Sequence, residues 1–121
     1  MLQKYSLLFL AALFLLAGVG PLQAQQTKKR PRVGYLAAVS AAAGAPRLAA
    51  FRQELRELGY IEGQNILIDY RHESRGFAPL PGLAAELLGL NVDVFVAVTT
   101  NAALAAKQST TAVPIVFMGV T

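Results

Sequence analysis

The chain has 121 residues, of which 55% are hydrophobic and 15% charged, and it carries a formal net charge of +4. This length allows one domain at most, and this composition excludes a disordered acidic or basic tail. The net charge does not indicate nucleic-acid binding, because five of the 11 basic residues precede the first predicted strand. The rest of the chain has six basic and seven acidic residues and is therefore about neutral.

The N-terminus has the features of an export signal. Lys4 provides a positive start, an apolar run covers residues 7–19, and Pro21 ends that run before LQA. A run of 13 residues is shorter than the roughly 20 that cross a bilayer as a helix, which favours secretion over anchoring. We expect cleavage after Ala24, so that residues 1–24 are the signal; an uncleaved N-terminal anchor is the alternative. The sequence contains no cysteine, which excludes a lipidation site after the apolar run and any disulfide or thiolate metal site.

After a basic leader at residues 25–32, VGYL at residues 33–36 has the pattern of a strand buried on both faces. A helix is predicted from Pro46, where proline suits the first turn, to Gly59, which supplies the left-handed conformation that ends helices. Its buried face follows the spacing of three and four residues shown by Leu48, Phe51, Leu55 and Leu58.

A turn at EGQN leads into a second strand at residues 66–70, whose alternating pattern favours a position near a sheet edge. Residues 71–76 are expected to form a polar loop, in which His72, the one histidine of the chain, is exposed to solvent. A second amphipathic helix is predicted to begin near Leu80 or Pro81.

The β-branched run at residues 92–98 is typical of a central parallel strand, and a helix-prone segment follows at residues 102–107. A fourth strand is predicted from Ile115. This alternation predicts an α/β fold with a doubly wound parallel sheet of strand order 2-1-3-4. The chain stops after the fourth strand without a helix to cover it, so we expect the front part of a longer protein or a truncated product.

In open parallel sheets, ligands bind beyond the carboxyl ends of the strands, where the strand order reverses. Here that point lies between the first and third strands, and residues 37–45, 99–101 and 119–121 reach it. Hydroxyls and free N–H groups at helix starts suit a carboxylate. Plain helix capping is the alternative for residues 99–101, and a solvated hydroxyl is the alternative for the serine. The candidate ligand-binding residues are Ser40, Thr99, Thr100 and Asn101.

The sequence offers no motif for catalysis. Asp69 ends the second strand, where a dinucleotide-binding fold would place a ribose-binding acid, but the first strand-helix turn contains no GxGxxG. GxxxxGK[ST], HExxH and GxSxG are also missing, so we predict no enzyme activity, no cofactor and no metal.

Two segments carry a family resemblance: PRLAAFRQELRELGYIEGQNILIDYR, and LAAELLGLNVDVFVAVTTNAALAAKQSTTAVPIVF. Together they resemble the periplasmic substrate-binding proteins of ABC importers, most closely the branch described as tryptophan or tyrosine binders. The resemblance covers residues 32–121. The loop after the first strand departs from the family pattern, which usually has a serine in a Gly/Pro-rich loop, because residues 37–39 here are Ala-Ala-Val before Ser40.

The resemblance implies a two-lobed, non-catalytic protein of the type I periplasmic-binding-protein kind, which traps a small molecule between its lobes. Residues 33–121 would be the incomplete first part of the N-terminal lobe. The implied partners are the ligand and the membrane permease of an ABC importer, and the implied location is the periplasm. A ligand-sensing extracytoplasmic domain of a membrane-anchored signalling protein is the alternative, and an α/β enzyme is disfavoured by the missing phosphate loop.

Overall fold

The structure, a computed structural model, describes residues 30–119. The predicted export signal, its cleavage site and most of the basic leader lie outside these residues. Four strands alternate with three helices along the chain. The strands are β1 (Arg32–Ala37), β2 (Leu67–His72), β3 (Val94–Val98) and β4 (Ile115–Met118), and the helices are α1 (Ala41–Glu57), α2 (Leu80–Gly89) and α3 (Thr100–Ser109).

The strands form one parallel sheet in the order β2-β1-β3-β4, which confirms the predicted topology. In the sheet, β1 lies between β2 and β3. Its last residue, Ala37, pairs with His72 on one side and with Val98 on the other. The chain therefore reverses direction across the sheet at β1 and β3, as a doubly wound sheet requires.

Both faces of the two central strands are covered, which explains why β3 is apolar throughout and why β1 is apolar after Arg32. Successive β1 residues face opposite ways: Leu36 packs with α2 and α3, whereas Tyr35 and Ala37 pack on the side of α1. The α2/α3 side is the larger core, and Phe95 of β3 is fully buried in it. The α1 side also holds an aromatic pair, with the rings of Tyr35 and Phe51 5.4 Å apart.

Helix α1 begins at Ala41, five residues before the predicted start at Pro46. The prediction was wrong because Ser40 caps the helix: its side chain accepts a hydrogen bond of 3.1 Å from the backbone N–H of Ala43. The alanines that follow favour helix, and Pro46 is accommodated inside it. The predicted end is confirmed, since Gly59 has a φ of 91°.

Strand β2 extends to His72, so the predicted polar loop at residues 71–76 begins two residues too early. Pairing with β1 continues to the end of that strand. Arg71 forms an ion pair with Glu86 of α2, at a distance of 2.9 Å. His72 is half-buried, with its ring 6.0 Å from that of Tyr35, which corrects the expectation of a solvent-exposed histidine.

Strand β1 starts at Arg32, a residue that the sequence pattern placed in the leader. Its side chain pairs with Asp69 of β2 at 2.7 Å, and its backbone N–H donates to Asp93 at 2.8 Å. These contacts fix the amino edge of the sheet. In the part of the chain that the structure describes, no helix is long and apolar enough to span a membrane.

Candidate functional site

The carboxyl ends of β1, β2 and β3 meet at one edge of the sheet, called the carboxyl edge here. The loop after β1 stays hydrogen-bonded to β3, since the N–H of Ala38 donates to the carbonyl of Val98 at 3.2 Å. The loop after β2 is attached in the same way, with the N–H of Glu73 donating to the carbonyl of Ala37 at 2.9 Å. The structure therefore places Ser40 and Thr99 at the same edge, at the ends of neighbouring strands.

Ser40 is half-buried at the start of α1, where its hydroxyl oxygen accepts from Ala43. The oxygen of this hydroxyl therefore serves as the cap of α1. A capping hydroxyl still has its own O–H to donate, so capping leaves Ser40 able to donate to a ligand acceptor. Its location at the carboxyl edge is fixed by this cap.

Thr99 has an unusual backbone and an unusual hydroxyl. Its φ of 84° and ψ of 158° lie in a region occupied almost only by glycine. The residue precedes α3 but makes no side-chain capping bond. Its Oγ1 is buried and has no hydrogen-bond partner within residues 30–119. Buried hydroxyls normally have a partner, and strained residues concentrate at functional sites. The side chain of Thr99 therefore does not serve as a helix cap, and its hydroxyl remains available to another partner.

Thr100 and Asn101 are the first two residues of α3, and both are exposed. The first intrahelical bond runs from the N–H of Ala103 to the carbonyl of Thr99, at 3.1 Å. The N–H groups of the first turn before it have no intrahelical acceptor. Neither α1 nor α3 has an acidic residue in its first turn. The carboxyl edge thus presents donors and the positive ends of two helix dipoles, an arrangement suited to an anion.

The loop after β2 contributes groups that the sequence analysis did not assign to the site. Glu73 is buried, and its carboxylate accepts hydrogen bonds from the Nε and Nη2 of Arg75, at 2.8 and 2.7 Å. The Nδ1 of His72 is buried without a partner among the described residues. The one feature of the sequence that could have indicated these residues is the alternating pattern of β2. If that pattern is extended from residue 70 by two residues, the strand ends at His72.

The ion pair with Arg75 should make the protein's stability sensitive to acid. Hydrogen bonds from Arg75 lower the pKa of Glu73 from its ordinary 4.5 to about 2. A lowered pKa stabilises the folded state above pH 4.5, and this stabilisation is lost as the pH falls from 4.5 towards 2. We expect the difference in free energy of unfolding between the wild type and Glu73→Gln to shrink over that range. Urea titrations at several pH values measure it, and a difference that does not vary with pH would contradict the prediction.

Two cavities lie away from the candidate residues. One cavity of about 240 Å³ lies between α1 and β2, beside Arg52 and Tyr60. Another, of about 380 Å³, lies at the amino edge beside Arg32 and Asp93. Neither of these cavities includes a candidate residue. Within residues 30–119, no group of three His, Asp or Glu side chains is placed to hold a metal ion.

Solved structures with a similar fold include a substrate-binding protein, a conserved domain protein and a repressor. A conserved domain protein from Vibrio cholerae is 30% identical, with a TM-score of 0.68 over 74% of this chain. A ligand-free, open substrate-binding protein with adhesive properties from Clostridium difficile is 24% identical, with a TM-score of 0.66 over 72%. The Lac repressor bound to ONPG is 21% identical, with a TM-score of 0.53 over 81%.

The chain spans 30% of the length of each of these structures. The likenesses at 24% and 21% identity show the fold alone. No curated protein matches the chain. The family model for ABC transporter substrate binding proteins matches residues 32–121, which includes all four strands and the whole carboxyl edge. The chain therefore belongs to the family of ABC transporter substrate-binding proteins.

Proposed function

We propose that this chain is part of an exported solute-binding component of an ABC importer, which binds a small solute that carries a carboxylate, such as an amino acid. Family membership supports solute binding, and the observation that carries the site is the buried, unpartnered hydroxyl of Thr99 on a strained backbone. The carboxyl edge would be one wall of the binding cleft. A second lobe outside this chain would supply the other wall.

Four residues of the carboxyl edge would contact the solute. The hydroxyl of Thr99 and the O–H of Ser40 would donate to it, because the first has no partner and the second uses only its acceptor in capping. Thr100 and Asn101 would add polar side chains at the exposed start of α3. Tryptophan or tyrosine specificity is a further part of this proposal, and it would depend on the second lobe as much as on these residues.

The proposal includes a location and a partner. Residues 1–24 would direct export to the periplasm and be removed, and closure of the two lobes on the solute would create the surface that the membrane permease recognises. N-terminal sequencing of exported protein should find Gln25 first, whereas a retained Met1 would contradict cleavage. An uncleaved, membrane-anchored sensor is not favoured, because the matched family is that of transporter substrate-binding proteins.

Ligand screening of the longest natural chain that contains residues 30–119 tests the function. We expect L-tryptophan, L-tyrosine or a branched L-amino acid to raise the melting temperature, since a ligand that binds only the folded state stabilises it. Thr100→Val should weaken the binding by about 0.5–1.5 kcal/mol, the net value of one hydrogen bond.

Thr111→Val is the matched control, because Thr111 is also exposed but lies in the loop before β4, at the opposite edge of the sheet. Isothermal titration calorimetry of the three proteins compares their affinities. Equal affinity of Thr100→Val and Thr111→Val would remove Thr100 from the site, and no amino-acid binding by the wild type would contradict the proposed ligand class.

A further inference from the structure

The loop after β2, residues 73–79, brings a charged pair to the carboxyl edge. The described residues that follow the four strands there are 38–40, 73–79, 99–101 and 119, and among them only Glu73 and Arg75 are charged. The other polar side chains of these segments are hydroxyls and an amide. Arg75 is thus the cationic side chain of this edge.

The two members of this pair differ sharply in burial. The side chain of Glu73 is 7% exposed and that of Arg75 is 78% exposed. Burying a carboxylate is costly unless it is paired and hydrogen-bonded. The carboxylate of Glu73 accepts three hydrogen bonds from Arg75: from Nε at 2.8 Å, from Nη2 at 2.7 Å and from the backbone N–H at 2.8 Å. The backbone of Glu73 is itself bonded to the end of β1. A buried, anchored carboxylate therefore holds an exposed guanidinium in one orientation.

The guanidinium keeps donors for another acceptor. Glu73 uses Nε and Nη2, which leaves both hydrogens of Nη1 free of Glu73. A guanidinium in a fixed orientation loses little further freedom when it binds a carboxylate or phosphate. The starts of α1 and α3, at the same edge of the sheet, add N–H donors and have no acidic residue in their first turns.

We propose that Arg75 is an anion-recognition residue of the binding cleft, held in place by Glu73, and that it contacts the carboxylate of an amino-acid ligand. This inference rests on the proposed function and adds to it a residue and a charge preference. The pair would also stabilise the loop, so a purely structural role must be separated from recognition by experiment.

The test uses the longest natural chain that contains residues 30–119, with L-tyrosine and L-leucine as probes and their amides as counterparts that lack the carboxylate charge. The wild type should bind each acid more tightly than its amide. Arg75→Gln should weaken binding of the acids by about 10- to 100-fold, as expected for a lost charge-assisted hydrogen bond, and should change binding of the amides little. Arg75→Lys should keep part of the preference, because it keeps the charge.

Two further variants separate recognition from stabilisation of the loop. In Glu73→Gln/Arg75→Gln no charge is buried alone, so a structural role predicts restored affinity for the acids, whereas recognition by Arg75 predicts that affinity stays low. Arg56→Gln, at an exposed position of α1, is the control for general charge effects. Restored affinity in the double variant, or an unchanged preference for the acids in Arg75→Gln, would overturn the role proposed for Arg75 but not the proposed ligand class. Failure of the wild type to bind either acid would overturn the proposed ligand class as well.

Discussion

Replacing Thr99 with glycine is expected to raise the free energy of unfolding and, at the same time, to weaken ligand binding. The backbone of Thr99 occupies a region that costs a residue with a side chain about 1–3 kcal/mol, and glycine adopts it without that strain. The change also removes a buried hydroxyl that has no partner among the described residues. The greater backbone freedom of glycine in the unfolded chain offsets part of the gain. A strained residue whose removal stabilises the protein but impairs binding is what a ligand contact should show.

Urea unfolding and calorimetric titration of the same preparations measure both effects. Thr100→Gly is the matched control for the unfolding measurement alone, since Thr100 lies one residue further on, inside α3, where glycine should lower the stability by up to about 1 kcal/mol. Thr99→Val separates the two causes, because it keeps the backbone strain and removes only the hydroxyl. Loss of stability in Thr99→Gly, or unchanged affinity, would contradict this interpretation of Thr99.

Phe95→Ala should have the largest effect on stability, a loss of about 3–5 kcal/mol. Phe95 of β3 is fully buried and packs in the core beneath α2 and α3. Truncation removes its apolar contacts and leaves a cavity that the surrounding strands and helices cannot fill without moving. Because Thr99 directly follows β3, loosening of this core should also reduce affinity for the ligand.

Phe117→Ala provides the control for loss of an aromatic ring. Phe117 of β4 pairs with Ala97 of β3, which faces the same side of the sheet as Phe95. Unlike Phe95, however, Phe117 is 51% exposed. Its truncation should therefore cost much less than that of Phe95. Denaturant titrations of the longest natural chain compare the two variants. Equal losses would show that Phe95 does not lie in a packed core.

The order of the elements and the topology of the sheet could be predicted from the sequence, because they depend on patterns that extend over many residues. The apolar run of β3 and the spacing of three and four in α1 each repeat several times, and Gly59 ends that helix as expected. The position of the carboxyl edge, and with it the common location of Ser40 and Thr99, follows from this order alone.

Single contacts could not be predicted in the same way. Helix α1 begins early because Ser40 caps it, and β2 is longer because β1 pairs with it as far as His72. The buried state of Glu73 depends on its pair with Arg75, and the strain at Thr99 depends on how β3 joins α3. Each of these features is decided by particular contacts rather than by an extended pattern, and three of them bear on the proposed binding residues Ser40, Arg75 and Thr99.

A ligand-bound crystal structure of the longest natural chain that contains residues 30–119 would test the central claim most directly. We expect the solute to lie against the carboxyl edge, with one of its acceptor atoms about 2.5–3.0 Å from the Oγ1 of Thr99. A solute bound elsewhere, with the hydroxyl of Thr99 bonded only to protein or water, would contradict the proposal that this edge is a wall of the binding cleft.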